Sequence, residues 1–112
     1  MPRKHEHLET DIKRELAAVM RELKDPGLHD SVLSIVHIDL SGDLSYCKVY
    51  ISTIDGMEKT KQAAEVLTKA SGLIRKEIFT RLSLRRAPEL KFIPDDSVEY
   101  SAHINELLKK EI

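Results

Sequence analysis

Residues 69–91 read KASGLIRKEIFTRLSLRRAPELK, and their internal order decides the architecture. Ala70, Ile74, Ile78 and Leu82 fall four apart, and Ala63 and Leu67 extend the row upstream, so a single apolar stripe of helical period runs from 63 to 82. Ala70-Ser71-Gly72 interrupts it. Glycine inside a helix costs about 1 kcal/mol relative to alanine, so two helices within residues 57–84 are expected to meet in a kink at Ser71-Gly72. Gly72 there serves either close packing of helix on sheet or contact with a ligand. Arg85-Arg86-Ala87-Pro88 is expected to end the helical region, since proline cannot continue the ladder. Leu90-Lys91-Phe92-Ile93 then alternates as a short strand, which Pro94 is expected to close.

Working outward, Leu8, Ile12, Leu16, Val19 and Leu23 mark the apolar face of an N-terminal helix, stopped by Asp25-Pro26-Gly27. Ser31 to Leu40 is β-branched and apolar, Ser41-Gly42-Asp43 signals a turn, and Ser45 to Thr53 reads as the returning strand of a hairpin. In that second strand Cys47, Val49 and Ile51 share one face and Tyr46, Lys48 and Tyr50 the other, the division expected of a sheet covered by helices on one side. Asp95-Asp96-Ser97 is expected to cap a short last helix carrying Ile104, Leu107 and Leu108. The order is α-β-β-α-(kink)-α-β with a short C-terminal helix, an α+β layer of helices on one face of a three-stranded sheet.

With 112 residues, 41% of them apolar and 33% charged, the chain is expected to form one domain over 1–112, with ends 1–5 and 110–112 frayed. No apolar run approaches the roughly 20 residues that span a bilayer, and MPRKHEHLETDIKREL contains no apolar signal core. One cysteine excludes an internal disulfide and fits a reducing cytosol. The overall charge of −1 conceals polarity. Residues 69–91 hold seven basic side chains (Lys69, Arg75, Lys76, Arg81, Arg85, Arg86, Lys91) against Glu77 and Glu89, a local +5, while the remainder of the chain is at −6. Such an arrangement favours a polyanion on one face and makes nucleic acid the first partner to consider. With no tryptophan and five Phe and Tyr together, an aromatic platform for base stacking is not expected.

The segments Leu23-Lys24-Asp25-Pro26, Leu40-Ser41-Gly42-Asp43-Leu44 with Lys48-Val49-Tyr50-Ile51, Ala70-Ser71-Gly72-Leu73-Ile74-Arg75, Leu84 to Phe92, and Asp95-Asp96-Ser97 follow one another without a long insertion. In that order the chain resembles the ribosome-binding factor A family, from about Leu16 to Leu108. The resemblance implies a type II KH-like domain in which an Ala-x-Gly kink, here Ala70-Ser71-Gly72, replaces the usual GXXG loop. It further implies a non-catalytic, cytoplasmic and monomeric factor that binds the small (30S) ribosomal subunit and its 16S rRNA. Late maturation, 5′-end processing and cold adaptation are its implied roles.

The expected RNA-binding residues are Lys69, Ser71, Gly72, Arg75, Lys76, Arg81, Arg85, Arg86 and Lys91. Each has a structural alternative. Arg75 can pair with Glu77 or Glu89, and Arg85 and Arg86 can serve the helix macrodipole. The five histidines and Cys47 lack zinc-site spacing, Asp95-Asp96 with Glu99 is better explained as a cap, and no phosphate loop or nucleophile elbow is present. No cofactor, metal or enzymatic activity is expected. Two other readings remain open: a KH-like protein for another structured RNA, and a protein–protein adaptor working through the Tyr46/Tyr50 sheet face.

Overall fold

The structure is a computed structural model and describes residues 6–23, 33–97 and 104–108. The Asp25-Pro26-Gly27 stop lies outside them. The elements are α1 (Glu6–Glu22), β1 (Leu33–Leu40), β2 (Tyr46–Thr53), α2 (Met57–Lys69), α3 (Ser71–Leu82) and β3 (Glu89–Pro94). Residues 104–108 are helical, and the N–H of Ser97 donates to Asp95 Oδ1 at 2.7 Å; the segment between this expected cap and that helix lies outside the described residues. Ser97, through its side chain first and its N–H second, holds the Asp95 carboxyl below its ordinary pKa. Among the described residues, no helix is long and apolar enough to cross a membrane.

The strand order is β1-β2-β3. β1 runs antiparallel to β2, with Leu40 opposite Cys47, Asp39 opposite Lys48 and Ile38 opposite Val49. The register shifts between Ile35 and His37, so Val36 is an extra residue that bends the edge strand. β3 lies parallel to β2, with Leu90 beside Cys47, Lys91 beside Lys48 and Phe92 beside Val49. A parallel pair needs a long crossover, and α2 with α3 supplies it. Pro94 closes the third strand, as expected, and Glu89 extends it by one residue at the other end. Pro94 pairs with Ile51, and the N–H of Asp95 donates to Ile51 O at 2.8 Å just beyond it. An edge strand accommodates a proline that a central one would not.

Period-two alternation buries Cys47, Val49 and Ile51 completely under the helices, where they meet Ile12 and Leu16 of α1 and Leu67, Ile74 and Ile78 of the crossover. Full burial of each large aliphatic side chain contributes roughly 1.5–3 kcal/mol. Tyr46, Lys48, Glu89 and Lys91 face the other way and are exposed. In the hairpin turn the N–H of Leu44 donates to Ser41 O at 3.0 Å, and Leu44 takes a left-handed φ of 63°. Its side chain compensates for that strain by packing against the core.

Two boundaries in the crossover differ from expectation. The break falls at Ala70 (φ −90°, ψ 3°), so Ser71 and Gly72 already lie in the first turn of α3. At its other end α3 stops at Leu82, ahead of the Arg85–Pro88 segment. Ser83 adopts the left-handed conformation, and the Leu84 N–H donates to Phe79 O at 3.2 Å, a cap of the Schellman kind. Arg85 and Arg86 therefore sit in the loop to β3, not at the helix end. With β2 central, β1 antiparallel and β3 parallel, the molecule has the α+β architecture that the residue pattern implied and the KH-like arrangement that the resemblance implied.

Candidate nucleic-acid interface

The junction of α2 and α3 is built for close approach. Lys69 ends α2, Ser71 opens α3, and Gly72 is exposed; a Cβ placed at Gly72 would meet nothing within 4 Å. Close packing of Gly72 on the sheet is thus ruled out as the reason for a glycine here. What the missing side chain leaves is open space at the side of the first turn of α3, a helix start that carries no side-chain cap. The first-turn N–H groups of a helix lack intrahelical acceptors and lie at its positive end, a setting that suits an anion. Lys69 and Lys76 are exposed beside this turn, and neither makes an ion pair among the described residues.

The far end of α3 is organised differently. Arg81 Nη2 donates to Glu22 Oε2 at 2.6 Å, Nη1 lies 3.6 Å from Glu15, and Nε lies 3.4 Å from Glu77. Two of these carboxylates belong to α1, so Arg81 fastens α1 to α3. The hydrogen bond to Glu22 raises the already high pKa of the guanidinium. Arg75 is also engaged: its Nε and Nη2 donate to the carbonyl of Ala87 at 3.0 and 2.7 Å. Neither Glu77 nor Glu89 is its partner, contrary to the ion pair considered above. The bond ties the α3–β3 loop back along the helix.

Of the two loop arginines, Arg86 Nη1 donates weakly to the carbonyl of Asp43 at 3.4 Å, which brings the β1–β2 turn to the α3–β3 loop. Arg85 is exposed, with no partner among the described residues. The turn that Arg86 reaches is well ordered by its own bonds. Ser45 Oγ, Ser41 Oγ and the Ser45 N–H all donate to Asp43 Oδ1, at 2.6, 2.9 and 3.1 Å. Those bonds, the one from the Ser45 hydroxyl foremost, lower the Asp43 carboxyl to about 2. Lys91 stands apart from the rest. It projects from the face of the sheet turned away from α1, α2 and α3, beside Lys48. Lys48 lies outside the basic stretch, and only the β2–β3 register brings the two together. Alternation along β2 was the one signal that placed Lys48 on that face.

Other groups have structural explanations. His37 packs its ring against Tyr50 at 5.5 Å between centroids. Cys47 is enclosed in the core, and burial pushes its thiol up to about 12. Among the described residues no group of three or more His, Cys, Asp or Glu is placed to hold a metal ion.

Comparison with known proteins converges on one family. The sequence pattern of "Ribosome-binding factor A" matches residues 4–108. The Ribosome-binding factor A of Moorella thermoacetica is 41% identical over 108 residues, covering 96% of this chain and 88% of the relative. The crystal structure of ribosome-binding factor A from Thermus thermophilus superposes with a TM-score of 0.69 at 33% identity, covering 79% of this chain and 92% of that one. Homology-based coordinates of the Thermus thermophilus factor, fitted into a cryo-EM map of a 30S complex, give a TM-score of 0.67 at 32% identity over 81% and 94% of the two chains. A KH-like layer with an open helix junction at Ala70-Ser71-Gly72, matched in sequence along nearly its whole length, places the chain in the ribosome-binding factor A family.

Proposed function

We propose that this protein is a non-catalytic assembly factor that binds the small (30S) ribosomal subunit in the cytoplasm and assists late maturation and 5′-end processing of its 16S rRNA. The observation that carries the reading is the open space at exposed Gly72 in the first turn of α3. Exposed Gly72, with half-buried Ser71 beside it, lets an RNA phosphate approach the first turn of the helix, and Lys69 and Lys76 add positive charge nearby. The related Thermus thermophilus factor is found in a 30S complex, which supports the choice of partner. Binding then relies on phosphate contacts and shape, with the factor acting as a monomer that holds an immature rRNA conformation until the neighbouring helix matures. Within the basic stretch, Lys69, Ser71, Gly72, Lys76, Arg85 and Arg86 make direct contacts. Arg75 and Arg81 act mainly by holding α1, α3 and the α3–β3 loop in place.

Co-sedimentation with purified ribosomal subunits tests this. The protein should pellet with the small subunit in preference to the large one, and nuclease treatment of the subunits should release it. Pelleting unaffected by nuclease would favour the adaptor reading, and failure to pellet would remove the ribosomal one.

A further inference from the structure

The seven basic residues of 69–91 do not form one surface. Lys91 is separated from the α2–α3 junction by the sheet itself and stands next to Lys48 in the β2–β3 register, with strands about 4.8 Å apart. Two like charges side by side are unfavourable unless something answers them. Asp39 lies on the other side of Lys48 in the same row, which leaves Lys91 at the outer edge. Two residues along β2 from Lys48, roughly 6.6 Å away, is Tyr46. It is 55% exposed, the most exposed aromatic among the described residues, and its ring has no stacking partner there, whereas the Tyr50 ring is occupied by His37. Tyr46 begins at the hairpin turn that Arg86 touches, so Arg85 and Arg86 border the same end of this face. Against these four cations the face presents Asp39 and Glu89, while the Asp43 carboxylate is turned into its own serine bonds. A ring, two lysines and a flanking pair of arginines match a base and its adjoining phosphates. The ring has no counterpart in an acidic peptide.

Resting on the ribosomal reading above, we propose that the face of the sheet turned away from α1, α2 and α3 is a second RNA-contact surface, which takes a single-stranded segment with a base on Tyr46 and phosphates on Lys48 and Lys91. One exposed ring suffices for a single base, without the aromatic platform that the composition excludes. Single strands are specified because a duplex offers no free base face to the ring. The factor would then hold two RNA segments on opposite faces of the sheet, one at the start of α3 and one on β2–β3.

The test uses the full chain, a labelled short oligouridylate, and purified small subunits. The chain has no tryptophan, so Tyr46→Trp introduces a sole reporter whose emission the oligouridylate should quench. Tyr46→Ala should weaken oligouridylate binding roughly 5- to 100-fold, and Tyr46→Phe should restore it. Replacing Lys48 and Lys91 with alanine should flatten the dependence of log affinity on log salt by about 1.4, from roughly 0.7 per phosphate contact on a single strand. All these side chains are exposed, and an unchanged thermal transition verifies the fold. Oligouridylate binding that is unaltered in Y46A and in K48A/K91A overturns the second surface. So does equal competition by polyglutamate together with an unaffected Y46A, which would make the face a site for acidic peptide. Loss of subunit pelleting in K69E/K76E alone, with the sheet variants unchanged, removes this proposal and leaves the ribosomal reading intact. If the parent protein does not pellet with subunits, the ribosomal reading fails, and the oligouridylate results still decide the sheet face.

Discussion

The two ends of α3 carry similar charge and do different things with it. At the C-terminal end Arg81 is surrounded by Glu15, Glu22 and Glu77, and its positive charge is answered within the molecule. At the N-terminal end Lys69 and Lys76 flank an exposed glycine with nothing in front of it. The difference arises from α1. That helix is rich in acids and packs along α3, and its carboxylates reach Arg81 but not the α2–α3 junction. A basic side chain is available to a partner only where the fold has not already supplied its counter-ion. Formal charge along a sequence overstates the interface by the residues thus engaged.

The most disruptive change would remove the platform beneath both ends. Val49 is wholly buried at the centre of β2, and Val49→Asp sets an unpaired charge into the core. Stability should fall by roughly 4 kcal/mol or more, measured by denaturant unfolding. A cooperative, stably folded V49D protein would mean that the strand register is wrong by one residue.

Next in size is the junction itself. Reversing Lys69 and Lys76 to glutamate should weaken small-subunit binding about tenfold or more at moderate salt, with stability held within about 0.5 kcal/mol. Equal losses of binding and stability would contradict the idea that these charges are free.

A smaller loss, of several-fold to about tenfold, is expected for R85E/R86E, with a shallower dependence of affinity on salt. Lys109 and Lys110, which lie outside the described residues, give the control. Their reversal should leave binding nearly intact. If the two double variants weaken binding equally, net charge alone governs it and the loop is not a contact.

Arg81→Glu sharpens the contrast from the other side. It places a fourth carboxylate among three and should lower the melting temperature while affecting binding less than K69E/K76E does. Adding Glu22→Arg should recover part of the lost melting temperature, because the pair is re-formed with the signs exchanged. A binding defect without a thermal one would make Arg81 a contact residue after all.

The smallest effect concerns pH. The Asp43 carboxyl titrates near 2 in the folded protein against an ordinary 3.8. A depressed value stabilises the fold fully above 3.8, and that contribution is lost as pH falls through about 2. Between pH 7 and 5 the turn should therefore contribute nothing to any change in stability. Asp43→Asn should remove the acid-range component of the pH–stability curve, a difference that parallel acid titrations of the two proteins would register. A carboxyl resonance of Asp43 titrating near 4 by NMR would refute the serine bonds as its cause.

Much of this protein could be read from residue order alone, because local rules decide it. Ala63, Leu67, Ile74 and Ile78 share a helical face whatever the remainder of the chain does, and alternation puts Val49 inward and Lys48 outward before any partner strand is known. Ala70-Ser71-Gly72 announced a break by composition, though its position at Ala70 rather than Ser71-Gly72 depended on which residue took the bridge conformation. The early stop of α3 was hidden for a similar reason: serine at 83 is no strong terminator, and its left-handed cap is stabilised by bonds to carbonyls of the finished helix. Side-chain availability was not legible at all. Whether Arg81 is free depends on Glu22, 59 positions away. Whether Arg75 is free depends on the path of the α3–β3 loop. Lys91 is set beside Lys48 by a parallel pairing that nothing local specifies. Periodicity acts within an element and is written in the order of its residues, whereas counter-ions and neighbouring strands arrive from distant segments, and only the closed tertiary structure determines which of them meet.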